Sequence, residues 1–395
     1  MKKRLLVLGA GIYQVPLIDK ARELGCEVLV ASYQGNYPGF SHADRVFYVD
    51  TTDAEGILAI ARDERVDGVI TTGTDVAVRS IGVVCDELGL PGISARSARL
   101  LTDKALMKEA FVAGGVNTSP FAVVHTEEEA RDAAKRLGYP VMVKACDVSG
   151  SRGVTKVSCG DELPAAYAAA RAATHTDHVV VEGFVPGNEI GVDGFVLDGK
   201  LSLFAPHRKF VYRAGNVTIP GGHAFPIDAD DGLLERIRRQ LELVVSSTGM
   251  DACAVNGDFM VTPAGEIFVL EAGGRCGATC IPELVSIHYG IDYYAQMIRC
   301  ALGQACDFAS RASVPCMAKL LFSANSGVVE SIDEAGLDKL RAETGACIEL
   351  DVSIGDSVHA VHDGTDRFGQ VIMRTASEAE LDSAADRALS CVEVG

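Results

Sequence analysis

Short apolar runs alternate with helical stretches through the first hundred residues, and this alternation limits the fold to a parallel sheet covered by helices. Residues 5–8, 27–31, 46–49 and 69–71 read as strands, with helices over 54–62 and 76–88. Parallel neighbours need crossover connections, and helices of this length supply them. The first strand ends at Gly9-Ala10-Gly11, and a helical stretch runs from there to about Leu24, stopped by Gly25. A dinucleotide fingerprint would need a third glycine and an acid closing the second strand. Gln14 stands at the third position and the second strand ends in Ala31-Ser32-Tyr33, which favours a plain strand-to-helix turn. A small anion at that helix N-terminus stays open.

A second region begins near Thr102. Residues 103–114 read as a helix carrying Lys104. Thr126 and Glu129 have capping-box spacing, and Ala130, Ala133, Ala134 and Leu137 share one helical face. Gly138 and Pro140 stop that helix, and Val141-Met142-Val143-Lys144 follows as a strand. Strand alternation sends Val141 and Val143 to one face and Met142 and Lys144 to the other. Next comes Ser149-Gly150-Ser151-Arg152-Gly153, a small-residue loop whose N–H groups suit phosphate oxygens. An ordinary hairpin turn is the alternative. Lys144, at the end of the preceding strand, favours phosphate.

Residues 179–182 are a further strand, followed by a turn through Glu189 and a strand from Ile190 to Leu197. Asp198-Gly199 marks a hairpin, with the return strand at about 200–205. Residues 254–271 form a second hairpin. A four-residue loop at Pro263–Glu266 sets Asp258 directly across from Glu271, whereas an odd-length loop separates them unless a bulge restores the register. Opposed carboxylates repel, and a shared divalent cation such as Mg2+ is the economical reason to keep them. In the segment 207–223, Arg208, Lys209 and Arg213 either grip a substrate carboxylate or phosphate, or form a solvated basic strand. His223 is a candidate base or a structural residue. From about Pro315 the pattern turns strand-rich and then helical, as in a small α+β unit.

Composition narrows the class. A chain of 395 residues suits two or three domains. Its 36 basic and 54 acidic residues give a net charge of −18, which argues against nucleic acid as a partner. The 12 cysteines are irregularly spaced with no Cys-x-x-Cys, as expected of buried free thiols in a reducing cytoplasm. The basic and apolar start imitates a signal peptide but runs on to Asp19-Lys20 without a cleavage pattern. No apolar run approaches the ~18 residues of a membrane span. A cytoplasmic protein without a membrane partner is the expectation.

In this order the pieces resemble the ATP-grasp superfamily, in particular its carboxylate–amine ligases. The resemblance implies an α/β and α+β fold: a pre-ATP-grasp parallel-sheet domain at 1–101, a two-lobed ATP-grasp domain at 102–312 with its small lobe at about 115–185, and a C-terminal α+β cap at 313–395. It implies ATP and Mg2+ (or Mn2+) as cofactors. Lys104 and Lys144 then hold the nucleotide phosphates under the loop residues Ser149, Gly150, Ser151 and Gly153. The hinge at Glu182, Phe184 and Val185 reads adenine, with the Glu182 side chain taking part. Glu189 binds the ribose, and Asp258 and Glu271 hold the metal. Arg275, with Arg213, serves the acyl phosphate. The substrate is expected between the acid-bearing hairpin, the first domain's loops and the segment 207–223.

The family usually reads Glu-x-Asn-x-Arg after the second acid, whereas here Gly273 replaces the Asn. Asn256, on the facing strand, is a candidate substitute ligand. The implied reaction is amide formation from small carboxylate and amine substrates, with an amino acid as a substrate. Purine-pathway carboxylating or formyl-transferring relatives are the alternative, as is a weakened ATP-binding module. A dehydrogenase leaves the acid pair unexplained. A homodimer is compatible with all of these.

Overall fold

The computed structural model describes residues 2–148, 150, 152–214, 217–361 and 366–395, with the side chains of 213, 214, 217 and 218 outside the description. The chain forms two compact units. The first comprises Met1–Ala205, Ala229–Cys276 and Tyr294–Phe308, and the second Pro206–Asp228, Gly277–Tyr293 and Ala309–Gly395.

The first unit opens with the expected parallel sheet, in the order Arg45–Tyr48, Glu27–Ser32, Arg4–Leu8, Gly68–Ile70. Leu5–Leu8 and Val28–Ala31 are almost wholly buried, as continuous apolar runs in a parallel sheet should be. The Gly9–Gly11 turn is closed by Gln14. Its side-chain oxygen accepts from the Gly11 N–H at 2.9 Å, and its amide nitrogen donates to the Thr72 carbonyl.

An antiparallel sheet follows, in the order Phe121–Val124, Val179–Gly183, Val141–Ala145, Val154–Val157. The helices Glu127–Leu137 and Leu163–Ala173 contribute to its core, where Ala130, Ala133, Val141, Val143 and Val181 meet. Thr126 caps the first of these helices by accepting from the Glu129 N–H. The Glu129 carboxylate reaches one residue farther back than a capping box requires, to the His125 N–H at 2.7 Å.

Three long antiparallel strands complete this unit: Asn188–Leu197, Cys253–Val261 and Ile267–Gly273. The last two correct the expected hairpin. Val261 pairs with Ile267, so the loop has five residues, 262–266, rather than four. That odd length would throw Asp258 and Glu271 to opposite faces. A bulge restores the register: Phe259 faces Val269 and Asp258 faces Glu271, leaving Leu270 as the extra residue. The fully buried Phe259 sits at this bulge, with its ring where a Cβ on Gly257 would lie.

In the second unit, strands Val217–Phe225, Cys316–Phe322, Arg367–Met373 and Cys347–Leu350 pair in succession. The helices Glu334–Thr344 and Glu378–Ser390 share their core through Leu337, Leu340, Leu381 and Ala385. The strand Lys200–Ala214 is much longer than the expected 200–205 and carries the chain from the first unit into the second.

Replacing Phe259 by Ala removes the side chain that fills the space beside the bulge. We expect a loss of about 3–5 kcal/mol, read as a lower urea midpoint at unchanged slope.

Candidate active site

The first unit contains a cavity of about 260 Å³ lined by Lys104, Lys144, Glu182, Glu189, Asp258 and Glu271. Each is placed by a different local rule. Lys104 opens the helix Lys104–Ala113, whose N-cap Asp103 accepts from the N–H groups of Ala105 and Leu106. Lys144 points from its strand to the face opposite Val141 and Val143. Asp258 and Glu271 are brought face to face by the bulge, and Glu189, opposite Met260, extends the same sheet face. Lys104 Nζ donates to the Val148 carbonyl at 2.9 Å and lies 3.5 Å from the Glu271 carboxylate.

Glu182 forms the anchor of the wall. Its carboxylate is 2% exposed and pairs with Lys144 on one oxygen and with Lys108 on the other, the latter at 2.7 Å. Ser119 Oγ donates to it at 3.1 Å. Burial would push this carboxyl up, but the two ammonium groups hold it far lower, at about 2. Lys144 is raised: burial opposes its charge, and Glu182 and then Glu271 more than offset that. Lys108 is lowered, because burial outweighs its attraction to Glu182. In place of the adenine contact implied for its side chain, the Glu182 carboxylate is thus spent on two lysines. In the adjoining hinge, the Gly183 N–H donates to the Pro120 carbonyl and the Phe184 N–H to the Pro140 carbonyl. Lys156 lies 3.8 Å over the Phe184 ring. Lys108 was missed in the sequence. Its signal was position i+4 from Lys104 on one helix.

A second recess of about 70 Å³ shares Lys104, Asp258 and Glu271 and adds Asp75, Asn256 and Arg275. The Arg275 side chain is 14% exposed, donates to Asp75 at 2.7 Å, to Asn256 at 2.9 Å and to the Cys276 carbonyl at 3.1 Å, and its buried Nε has no partner among the described residues. Burial alone would lower its pKa, but Asp75 raises it further, so the guanidinium is a fixed cation.

An acid pair, two lysines and a held arginine thus line two recesses that share Lys104, Asp258 and Glu271. A model described as the D-ala D-ala ligase C-terminus matches residues 111–298, and one described as L-amino acid ligase C-terminal domain 2 matches 319–395. The crystal structure of phosphoribosylglycinamide synthetase from Anaerococcus prevotii is similar over 100% of both chains, at 27% identity and a TM-score of 0.81. The chain belongs to the ATP-grasp superfamily. As an ATP-grasp ligase, it also shares its fold with the L-amino acid ligase from Bacillus licheniformis. That structure is 18% identical with a TM-score of 0.81, over 100% of this chain and 98% of that one. A formate-dependent phosphoribosylglycinamide formyltransferase of Rhodococcus jostii is 27% identical over 62% of each chain, so this chain spans under two thirds of that relative.

Against the ATP-grasp pattern, Gly273 now has a structural reason. A Cβ on Gly273 would lie 2.8 Å from Asp75 Oδ1, so the absent side chain makes room for that carboxylate. Asn256, the candidate substitute ligand, donates its amide nitrogen to Asp193 at 2.8 Å and accepts at its oxygen from Arg275. Asp75 was missed because it sits in a loop near Arg275 only in space, 200 residues away in the chain.

The remaining expected residues divide. Gly150, Phe184 and Val185 line the larger cavity with Glu189. Gly153 does not. Its glycine is required by packing, since a Cβ would lie 2.7 Å from Ala173 Cβ and 2.9 Å from Ala145 Cβ at a φ of +64°. Ser149 and Ser151 lie outside the described residues, as does the side chain of Arg213. In the second unit Arg208 pairs with Glu378 at 2.6 Å. His223 is buried against His207, and burial holds its pKa well below the ordinary value, so it packs as a neutral ring. Of the cysteines, eight are buried and all are free thiols.

Two outcomes follow from the lysine–glutamate cluster and the loop. Glu182→Gln leaves two buried ammonium groups without their counter-ion, and we expect a loss of about 3–5 kcal/mol by urea denaturation. Because the folded pKa of Glu182 lies below its unfolded value of 4.5, its contribution is full above that pH. It fades as pH falls through about 2, and an acid titration of the variant should lack this component. Gly153→Ala should cost about 1–3 kcal/mol through overpacking, whereas Gly150→Ala, which meets nothing within 4 Å, should cost only the smaller penalty of its positive φ.

Proposed function

We propose that this ligase joins a small carboxylate to an amine through an acyl phosphate, with an amino acid as a substrate. The observation that carries the reading is the cross-strand pair Asp258–Glu271, held by a bulge in a cavity with Lys104 and Lys144. Two facing carboxylates are unfavourable without a cation, and their oxygens fit Mg2+. When bound, Mg2+ or Mn2+ would neutralise the ATP phosphate oxygens.

In this reading Lys104 and Lys144 bind the phosphates, and the small-residue loop that carries Gly150 covers them. No bond to the Val185 N–H is present among the described residues, so Val185 has the backbone donor left to read the base edge beside Phe184. Glu189, at the outer end of the same face, takes the ribose hydroxyls. A substrate carboxylate oxygen forms a bond to the γ-phosphorus as the bond to the ADP oxygen breaks. The amine nitrogen then bonds to the acyl carbon, phosphate leaves with its oxygen, and the nitrogen gives up a proton. Arg275 stabilises the oxygen that gains charge in that second step, which a permanently charged, rigidly held guanidinium suits. Asp75 keeps one oxygen on Arg275, and its other oxygen, beside Gly273, suits the ammonium group of an amino acid. Arg213 remains a proposed contributor from the strand Lys200–Ala214.

The domain proposal follows the same lines: a leading sheet domain at 1–101, an ATP-grasp domain at 102–312 and a C-terminal cap at 313–395. The partners are small molecules. Among the described residues no helix is long and apolar enough to cross a membrane. A purine-pathway reaction is the second reading, favoured by the full-length likeness to phosphoribosylglycinamide synthetase.

An ADP-release assay with paired amino acids, and separately with phosphoribosylamine, glycine, bicarbonate and formate, tests both. Mass spectrometry should show a product equal to the two amino acids less one water. Turnover only with a phosphoribosyl substrate would overturn the amino-acid reading. Asp258→Asn and Glu271→Gln should each abolish metal-dependent ADP formation while calorimetry still detects weak ATP binding. Asp75→Asn should raise KM for the amino acid more than it lowers kcat.

A further inference from the structure

We propose that Asp103, Cys146 and His178 form a second metal site, for a thiophilic divalent transition ion such as Zn2+, separate from the Asp258–Glu271 pair. The ligand atoms of these three residues all lie within 4.8 Å of one another. Asp103 and Cys146 are buried, 6% and 1% exposed. His178 Nε2 is buried without a hydrogen-bond partner among the described residues, 3.8 Å from Asp103 Oδ1. That spacing suits two corners of a tetrahedron whose ligands stand ~2.0–2.3 Å from the metal.

Asp177 lies on the other side of the His178 ring. The ring Nδ1 lies 2.8 Å from Asp177 Oδ1, and an Nδ1–H donated there leaves Nε2 as a bare lone pair aimed at the cluster. A carboxylate behind a histidine is how metal-binding imidazoles are held. A buried, unpartnered lone pair facing a carboxylate gains nothing until a cation or proton lies between them. The donor set of sulfur, nitrogen and oxygen excludes Mg2+, which takes oxygen, and suits Zn2+ with water in the fourth position. Cys146 also lines the smaller recess, which gives the ion a way in. Binding converts the Cys146 thiol to thiolate and releases one proton.

The site would clamp three segments. Asp103 caps the helix that begins with Lys104, Cys146 follows the strand that ends just after Lys144, and His178 directly precedes the strand Val179–Gly183. The Lys104 N–H already donates to the Cys146 carbonyl at 3.0 Å.

Titration of the full chain with Co2+, without ATP or Mg2+, should give one equivalent of a thiolate-to-cobalt charge-transfer band with strong visible bands of a four-coordinate ion. Zn2+ should bleach both, and excess Mg2+ should not. Cys146→Ser should lose the charge-transfer band. His178→Gln should bind at least tenfold more weakly, and Asp177→Asn should keep the band with an affinity lower by about 10–100-fold. Circular dichroism confirms that each variant is folded, and His178→Gln decides the matter if Cys146→Ser is not. Absence of the band in the parent chain overturns the site. So does an undiminished band in folded Cys146→Ser or His178→Gln, which would place the ion on exposed thiols such as Cys159 or Cys347.

Discussion

Glu182 is the constraint on which the rest of the first unit depends. Two lysines share one buried carboxylate, and they come from different elements: Lys108 from the helix Lys104–Ala113 and Lys144 from the strand Val141–Ala145. Bringing three charges out of water is expensive, and only their mutual pairing and the added hydroxyls of Thr118 and Ser119 offset it. The arrangement therefore has one good geometry. It fixes the helix carrying Lys104 against the strand carrying Lys144 and against the hinge that follows Glu182. Thr118 extends the chain, since its hydroxyl also donates to the Val269 carbonyl on the acid-bearing hairpin.

That hairpin shows how a local irregularity serves chemistry. Loop parity alone would separate Asp258 from Glu271, and one extra residue, Leu270, reverses the outcome. Phe259 fills the space beneath it. The repulsion between the two acids is tempered by cations on either side of the face, with Lys104 beside Glu271 and Lys144 feeling both charges. A small anion-rich pocket in a chain of net charge −18 thus remains suited to a polyanion and its metal, because local placement, not net charge, sets the field.

Gly273 is where the chain departs from the superfamily pattern, and Arg275 is where it keeps it. The glycine opens space that Asp75 occupies, and Asp75 and Asn256 hold the guanidinium from two directions. The loop that carries Asp75 thereby reaches the recess that Asp258 and Glu271 also line.

Periodicity and capping made much of the fold legible in the sequence: the four parallel strands, the Thr126-capped helix, the strand bearing Lys144 and the two hairpins. The sequence also pointed to charges at the cavity, Lys144 by strand alternation and Lys104 and Glu189 through the resemblance, whereas the facing of Asp258 and Glu271 rested on a four-residue loop and is set instead by the bulge at Leu270. What local rules could not reach is pairing across distance. Lys108 reads as one more helical lysine until Glu182 is seen beside it, and Asp75 lies 200 residues from Arg275. The role of Glu182 changed for the same reason. Only the tertiary structure decided it, because the state of a buried charge is set by which groups surround it in space, and neither burial nor partner is written in the neighbouring residues.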